Sequence, residues 1–273
     1  GEFAHYLATM GVTFNLAGQG ENDTLIGGVM NDTLRGNGGS DYLNGSAGND
    51  SLLGDGGDDM LEGDSGDDNL NGGYGVDILI GGAGNDTLNG GDGEDIDTFV
   101  FMVGNGEDVI EGVQDDGEDS PTGLADVIEF QDVASTEAIL LRQGEDLVLR
   151  YGAADQITVV RHFDEHSWLP DWPWYGVGQI KFSDGVVWDS AEIRAHTLTY
   201  GTADDDSILG YLQGRNQLFG LEGNDILAGR ELNDSLYGGS GDDLLYGGEG
   251  ADQLEGGSGA DTLYGEAGDD VLY

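Results

Sequence analysis

The stretch Gly72-Gly73-Tyr74-Gly75-Val76-Asp77-Ile78-Leu79-Ile80 runs directly into Gly81-Gly82-Ala83-Gly84-Asn85-Asp86-Thr87-Leu88-Asn89. Both copies read glycine, glycine, any, glycine, any, aspartate, any, leucine, any, so the chain repeats with a period of nine. That period constrains the fold most, because one unit buries almost nothing and gains a core only by stacking on its neighbours. From Gly18 the sixth-position aspartates are Asp23, Asp32, Asp41, Asp50, Asp59, Asp68, Asp77, Asp86 and Asp95. The eighth position keeps the same phase as Leu25, Leu34, Leu43, Leu52, Leu61, Leu70, Leu79 and Leu88. The pattern returns at Gly201 with Asp206, slips by one residue so that Asn216 stands where an aspartate is due, and continues as Asp225, Asp234, Asp243, Asp252, Asp261 and Asp270.

Glycine supplies the positive φ of a tight turn over positions one to six, which leaves positions seven to nine as a short strand with its leucine facing inward. If successive units lie on opposite sides of a flattened coil, each turn takes two units. Strands two units apart then stack in parallel about 4.8 Å apart. Asp59 faces Asp77, Asp77 faces Asp95 and Asp68 faces Asp86. Two carboxylates at that spacing repel by roughly 0.9 kcal/mol in water, and by more once dehydrated.

The whole chain shares this excess, with 55 acidic against 8 basic residues and a formal charge of −47. Such a charge disfavours nucleic acid and anionic membranes as partners and calls for cations. With no cysteine there is neither a disulfide nor a thiolate site, so the cation chemistry is that of hard oxygen donors. Calcium fits better than magnesium, because it accepts six to eight carboxylate and carbonyl oxygens without strict octahedral geometry. The expected ligands are the carboxylates of Asp41, Asp50, Asp59, Asp68, Asp77, Asp86, Asp95, Asp225, Asp234, Asp243, Asp252, Asp261 and Asp270. The glycines expected to present carbonyls beside them are Gly72, Gly73, Gly75, Gly81, Gly82, Gly84, Gly238, Gly239, Gly241, Gly247, Gly248, Gly250, Gly256, Gly257 and Gly259. Sites are expected to weaken where Gln19, Met30 or Leu232 replaces a glycine, and at an apparent two-residue insertion around Asp97.

These repeats closely resemble the repeats-in-toxin (RTX) family of exported bacterial proteins. The resemblance implies an all-β fold, a parallel β-roll or right-handed β-solenoid, that is disordered without calcium and folds on binding multiple Ca²⁺ ions outside the cell. It also implies export through a type I secretion apparatus as part of a larger polypeptide, and a secreted or cell-surface location. Gly1-Glu2-Phe3 reads as a vector-derived remnant, so a fragment is expected.

Four segments follow: a remnant and cap over 1–17, a first repeat block over 18–97, a β-rich insert over 98–200, and a second block over 201–273. Within the insert, Thr98–Phe101, Asp108–Ile110, Asp126–Phe130, Leu140–Arg142, Asp146–Tyr151, Gln156–Val160, Gln179–Phe182 and Val186–Trp188 are strand candidates. Ser190–Ala195 is the one helical turn expected, and Gln114–Glu118 with Ser120-Pro121 reads as a solvated loop. The phrases at Gly144–Leu149 and Phe182–Gly185 resemble the haemolysin-type calcium-binding-related segment that lies between RTX blocks.

His162-Phe163-Asp164-Glu165-His166 matches a zinc-peptidase spacing, but it follows a β-branched run and precedes prolines, so the helix that chemistry needs is not expected. Trp168, Trp172, Trp174 and Tyr175 suit either a cap over the fold or a glycan- or protein-binding surface. No catalytic activity is expected. Two other classes stay open: an adhesive, target-binding region of a surface protein, or the non-catalytic part of an exported hydrolase.

Overall fold

The structure, a computed structural model, describes residues 11–91, 95–111, 126–162, 177–211 and 214–273. It divides into two compact units, Gly1–Ala138 with Gly144–Asp189, and Ile139–Gln143 with Ser190–Tyr273.

In the first unit the nine-residue period sends alternate repeats to opposite sheets. Thr33–Gly38, Ser51–Gly56, Asn69–Tyr74 and Thr87–Asn89 pair in parallel on one side. Thr24–Ile26, Tyr42–Ala47, Met60–Ser65 and Ile78–Ala83 do so on the other. The register brings Leu34 opposite Leu52, Leu70 and Leu88, and Leu43 opposite Leu61 and Leu79. All seven leucines have 0–1% of their surface exposed. Each strand alternates buried and open residues, so two leucine rows fill a thin interior.

The central strands are six residues long rather than the three expected, because pairing resumes after the first-position glycine. Asn37 pairs with Asp55 and Gly38 with Gly56, while Gly36 and Gly54 interrupt the ladder. The second-position residue beyond the break lies in the left-handed region, as at Asn37 (φ 75°), Ser46 (79°), Asp55 (73°) and Asp64 (72°). The expected turn is therefore a local kink followed by renewed sheet. The tight part is confined to positions four to six.

The non-repetitive segment carries the same coils onward. Thr98–Phe101 stacks on Ile78–Ala83, Val127–Phe130 follows in parallel, then Gln179–Lys181, and Val187–Asp189 closes that sheet antiparallel. On the opposite side Glu107–Glu111 stacks on Thr87–Asn89 and Asp155–Val159 follows, paired antiparallel with Asp146–Tyr151. Phe99, Ile128 and Ile180 continue one leucine row and Ile110 continues the other, and a cluster of buried aromatic rings joins them. Phe130 stacks on Phe182 at 5.6 Å between centroids, and Tyr151 and Trp188 meet those two rings edge-on at 4.8 and 4.6 Å.

In the second unit, Ile139–Gln143, Thr197–Tyr200, Gln217–Glu222, Ser235–Ser240, Gln253–Ser258 and Val271–Leu272 form one parallel series. Ser207–Leu209, Ile226–Arg230, Leu244–Glu249 and Thr262–Ala267 form the other. Leu218, Leu227, Leu236, Leu245 and Leu254 are its core. The expected helical turn is a helix over Ser190–His196 that buries Ile193 and Arg194. The acidic loop at 114–121, the aromatic cluster at 168–175 and His166 lie outside the described residues.

Candidate metal centre

The sixth-position aspartate points inward just before each strand begins, and its two oxygens have different surroundings. Oδ1 accepts the backbone N–H of the sixth-position residue one coil earlier. Asp23 donates to Asp41 at 2.7 Å, Asp41 to Asp59 at 2.7 Å and Asp59 to Asp77 at 2.8 Å. On the other edge Asp32 donates to Asp50 at 2.6 Å, Asp50 to Asp68 at 2.7 Å and Asp68 to Asp86 at 2.8 Å. The second unit repeats this through Asp225, Asp243 and Asp261, and through Asp234, Asp252 and Asp270.

Oδ2 turns toward the first-position glycine of its own unit and that glycine's counterpart one coil on. A Cβ added to Gly72 would collide with Asp77 Oδ2 and stand 2.5 Å from the Gly90 carbonyl oxygen. A carboxyl oxygen and a carbonyl oxygen therefore converge beside a carbon that cannot carry a side chain. The Oδ2 atoms of Asp41, Asp50, Asp59, Asp68, Asp77, Asp86, Asp108, Asp225, Asp234, Asp243 and Asp252 are buried with no hydrogen-bond donor. A buried carboxylate oxygen in that position is costly unless it is protonated or meets a cation.

The acidities show the same cost. Burial, opposed by the donated amide and reinforced by facing carboxylates, pushes Asp50, Asp59 and Asp68 up to about 6. Burial likewise takes Asp86, Asp97, Asp108 and Asp234 to about 7, and Asp77 to about 8.

The donor set fits a calcium ion. It consists of carboxyl and backbone carbonyl oxygens, the Oδ2 atoms without a hydrogen-bond donor, and includes neither nitrogen nor sulfur. Among the described residues no three His, Cys, Asp or Glu side chains converge on one point.

Asp95 does not join the ladder. It is exposed, and the two-residue insertion brings Asp97 into phase instead, where its Oδ1 takes the Asp77 amide at 2.8 Å. Asp97 in turn donates to Asp126 at 3.0 Å, and Asp86 donates to Asp108 at 2.9 Å. The ladder thus enters the non-repetitive segment. The sequence signal was Gly104-x-Gly106-x-Asp108-x-Ile110, a repeat with its first glycine missing. Asp261 and Asp270 are half-buried at the far end.

Among the expected glycines, first-position Gly72, Gly81, Gly238, Gly247 and Gly256 each lie against an aspartate Oδ2. Second-position Gly73, Gly82, Gly239, Gly248 and Gly257, and fourth-position Gly75, Gly84, Gly241, Gly250 and Gly259, have positive φ and press on a carbonyl of the preceding coil.

The first units of each block are built differently. Gln19 donates its N–H to Asp23 Oδ2 at 2.8 Å, Gly28 to Asp32 at 2.5 Å and Thr202 to Asp206 at 2.6 Å. In these turns a backbone amide occupies the oxygen left open elsewhere.

A second ladder, formed by fifth-position side chains, escaped the sequence reading. Asn31 Oδ1 accepts the Asn49 amide at 3.0 Å, Asn49 that of Asp67 at 3.2 Å and Asp67 that of Asn85 at 3.0 Å. The recurrence of Asn or Asp one place before the sixth-position aspartate was its signal.

A family profile described as RTX calcium-binding nonapeptide repeat (4 copies) matches this chain repeatedly between residues 17 and 97 and between 200 and 273, more than half its length. A second, the haemolysin-type calcium binding protein related domain, matches residues 146–192. No curated protein sequence matches the chain. Among solved structures, the AlgE6R3 subunit of the Azotobacter vinelandii mannuronan C5-epimerase is 20% identical, over 58% of this chain and 77% of that one, with a TM-score of 0.20. The extracellular lipase LipA from Serratia marcescens is 19% identical, over 76% of this chain and 32% of the lipase, also with a TM-score of 0.20. Matched twice over by calcium-binding profiles and folded as stacked parallel coils, the chain binds multiple Ca²⁺ ions and belongs to the RTX calcium-binding nonapeptide repeat family.

Proposed function

We propose that this chain is a calcium-driven folding module of an exported protein, with no catalytic role of its own. The supporting observation is the series of buried Oδ2 atoms without donors, from Asp41 through Asp252. Asp41, Asp50, Asp59, Asp68, Asp77 and Asp86, with Asp97 and Asp108 beyond them, hold ions in the first unit. Asp225, Asp234, Asp243, Asp252, Asp261 and Asp270 hold them in the second, with backbone carbonyls completing each set. The bound ion supplies positive charge between dehydrated carboxylates.

The residues do the rest. The Oδ1 bonds orient each carboxylate, the glycines clear space beside it and the leucines exclude water. At low calcium, chain entropy and acidic repulsion keep the repeats open; at the millimolar calcium outside cells they close. A ligand that binds only the folded state stabilises it by about 2.7 kcal/mol per site at a hundredfold excess over its Kd. Sites shared between neighbouring coils act cooperatively. This behaviour suits passage through a type I secretion apparatus as an unfolded chain and folding after release, attached to a larger polypeptide.

The test is a calcium titration of chelator-treated protein followed by far-UV circular dichroism. We expect a sigmoidal gain of β-signal. A complete β-signal in excess chelator would refute the switch.

A further inference from the structure

At one turn the ladder carries an amide instead of a carboxylate. Asn216 is 2% exposed, and its own N–H donates to Asp234 Oδ1 at 2.7 Å, as a sixth-position residue should. Its side-chain oxygen accepts the second-position amide as those of Asp23, Asp32 and Asp206 do, but its Nδ2 donates where a carboxylate can only accept. Nδ2 donates to the carbonyl oxygens of Gly229 at 2.9 Å and Gly214 at 3.0 Å, and lies 3.0 Å from Asp234 Oδ1 and 3.3 Å from the Tyr211 carbonyl. Oδ1 accepts the Tyr211 amide at 2.7 Å. The opposite amide orientation would set Oδ1 against carbonyl and carboxylate oxygens and Nδ2 against an N–H, so the network fixes which atom is which.

Asp225 shows what the amide replaces. Its Oδ2 and the Gly238 carbonyl oxygen converge beside Gly220, and no donor reaches that Oδ2. The equivalent pair beside Gly210 is Asn216 Nδ2 and the Gly229 oxygen, a donor and an acceptor.

Fixed positive charge lies close by. The Arg142 guanidinium sits 4.7 Å from the centroid of the buried Tyr211 ring. The buried Arg194 side chain packs where Gly214 approaches it, and its Nε donates to the Ser190 carbonyl at 3.0 Å. Gln217 ties the same strand to the helix through the Ala195 carbonyl at 3.1 Å.

We propose that the Asn216 carboxamide takes the place of a cation, so that the coil it clasps, through Gly229 and Asp234, closes without calcium and serves as the nucleus on which the calcium-dependent coils from Asp243 onward build. The proposal rests on the calcium reading for those later coils, but the clasp itself needs no ion. Asn216 is neutral, so the coil also lacks the carboxylate repulsion that Asp234 meets from Asp252 farther along.

The test uses the whole chain and hydrogen exchange in excess chelator and in calcium. In chelator, the amides of Tyr211 and Asn216 should exchange at least about tenfold more slowly than those of Asp243 and Asp252, which donate to Asp261 and Asp270 beyond the clasp. Asn216→Asp should lose that protection and, in calcium, bind one more ion per chain by equilibrium dialysis and metal analysis. Asn216→Ala should lose the protection and gain no ion. Equal exchange rates in chelator, an unchanged ion count in Asn216→Asp, or full protection retained in Asn216→Ala would each overturn the proposal. Wild-type protein that binds no calcium would refute the folding-module reading instead, while the chelator exchange still judges the clasp.

Discussion

Asp77 is fully buried, with carboxylates on both sides, Asp59 before it and Asp97 after. Burial and those charges raise its carboxyl to about 8, against about 3.9 for an unfolded aspartate. Without an ion, a group whose folded value exceeds its unfolded value stabilises the fold below the unfolded value. That contribution is lost as pH rises through the folded one. For Asp77 the window runs from about 4 to about 8, and for Asp50, Asp59 and Asp68 it closes near 6. Calcium binding has the opposite sign, because the ion needs the ionised form. Calcium-stripped protein should therefore gain β-signal as pH is lowered from 8 to 4, while protein at subsaturating calcium releases ions over the same range. Circular dichroism and a calcium electrode read the two effects. A flat profile in the stripped sample would contradict the burial argument.

At the scale of one coil, the leucine rows and the ladders stabilise the same stack. Leu61 is fully buried between Leu43 and Leu79, so Leu61→Ala should cost about 2–5 kcal/mol in urea unfolding with saturating calcium. Met60→Ala, on the outer face of the same strand, should change stability by less than about 0.5 kcal/mol. Equal losses would mean the interior is not where the period puts it. The coil itself was legible, because a period of nine fixes register as well as fold: once Leu34 lies over Leu52, every later pairing follows. The phase was lost where the count changed. Asp95 keeps the nine-residue interval, but the two extra residues leave it exposed and put Asp97 in the buried place, and spacing carries no record of which aspartate an insertion will expel. Asp108 and Asp126 were hidden because isoleucine, at 110 and 128, replaces the leucine that marks the phase and the glycines before them are incomplete. The six-residue strands were missed because a left-handed Asn37 or Asp55 can still pair, which glycine-based turn reasoning does not anticipate.

Across the molecule the charge of −47 suggests that any added salt would relieve the repulsion. The burial of Oδ2 argues otherwise. At 1 M ionic strength the screening length falls to about 3 Å, which weakens repulsion between exposed charges but brings no positive charge to an oxygen sealed between coils. We expect 1 M sodium chloride in chelator to leave the β-signal near its calcium-free level, with millimolar calcium then restoring it. Full recovery in sodium alone would show that the ladder needs only screening.

The outward rings of the second unit have a spectroscopic consequence. Tyr200, Phe219 and Tyr237 stack at 4.8 Å between successive centroids, and Tyr246 lies 5.2 Å from Tyr264 on the other face. Those spacings match the distance between neighbouring strands, so the rings couple only when consecutive coils are in place. Near-ultraviolet dichroism thus responds to coil stacking without any attached dye, the ring rows of the second unit adding to the signal of Tyr151 and Trp188 in the first.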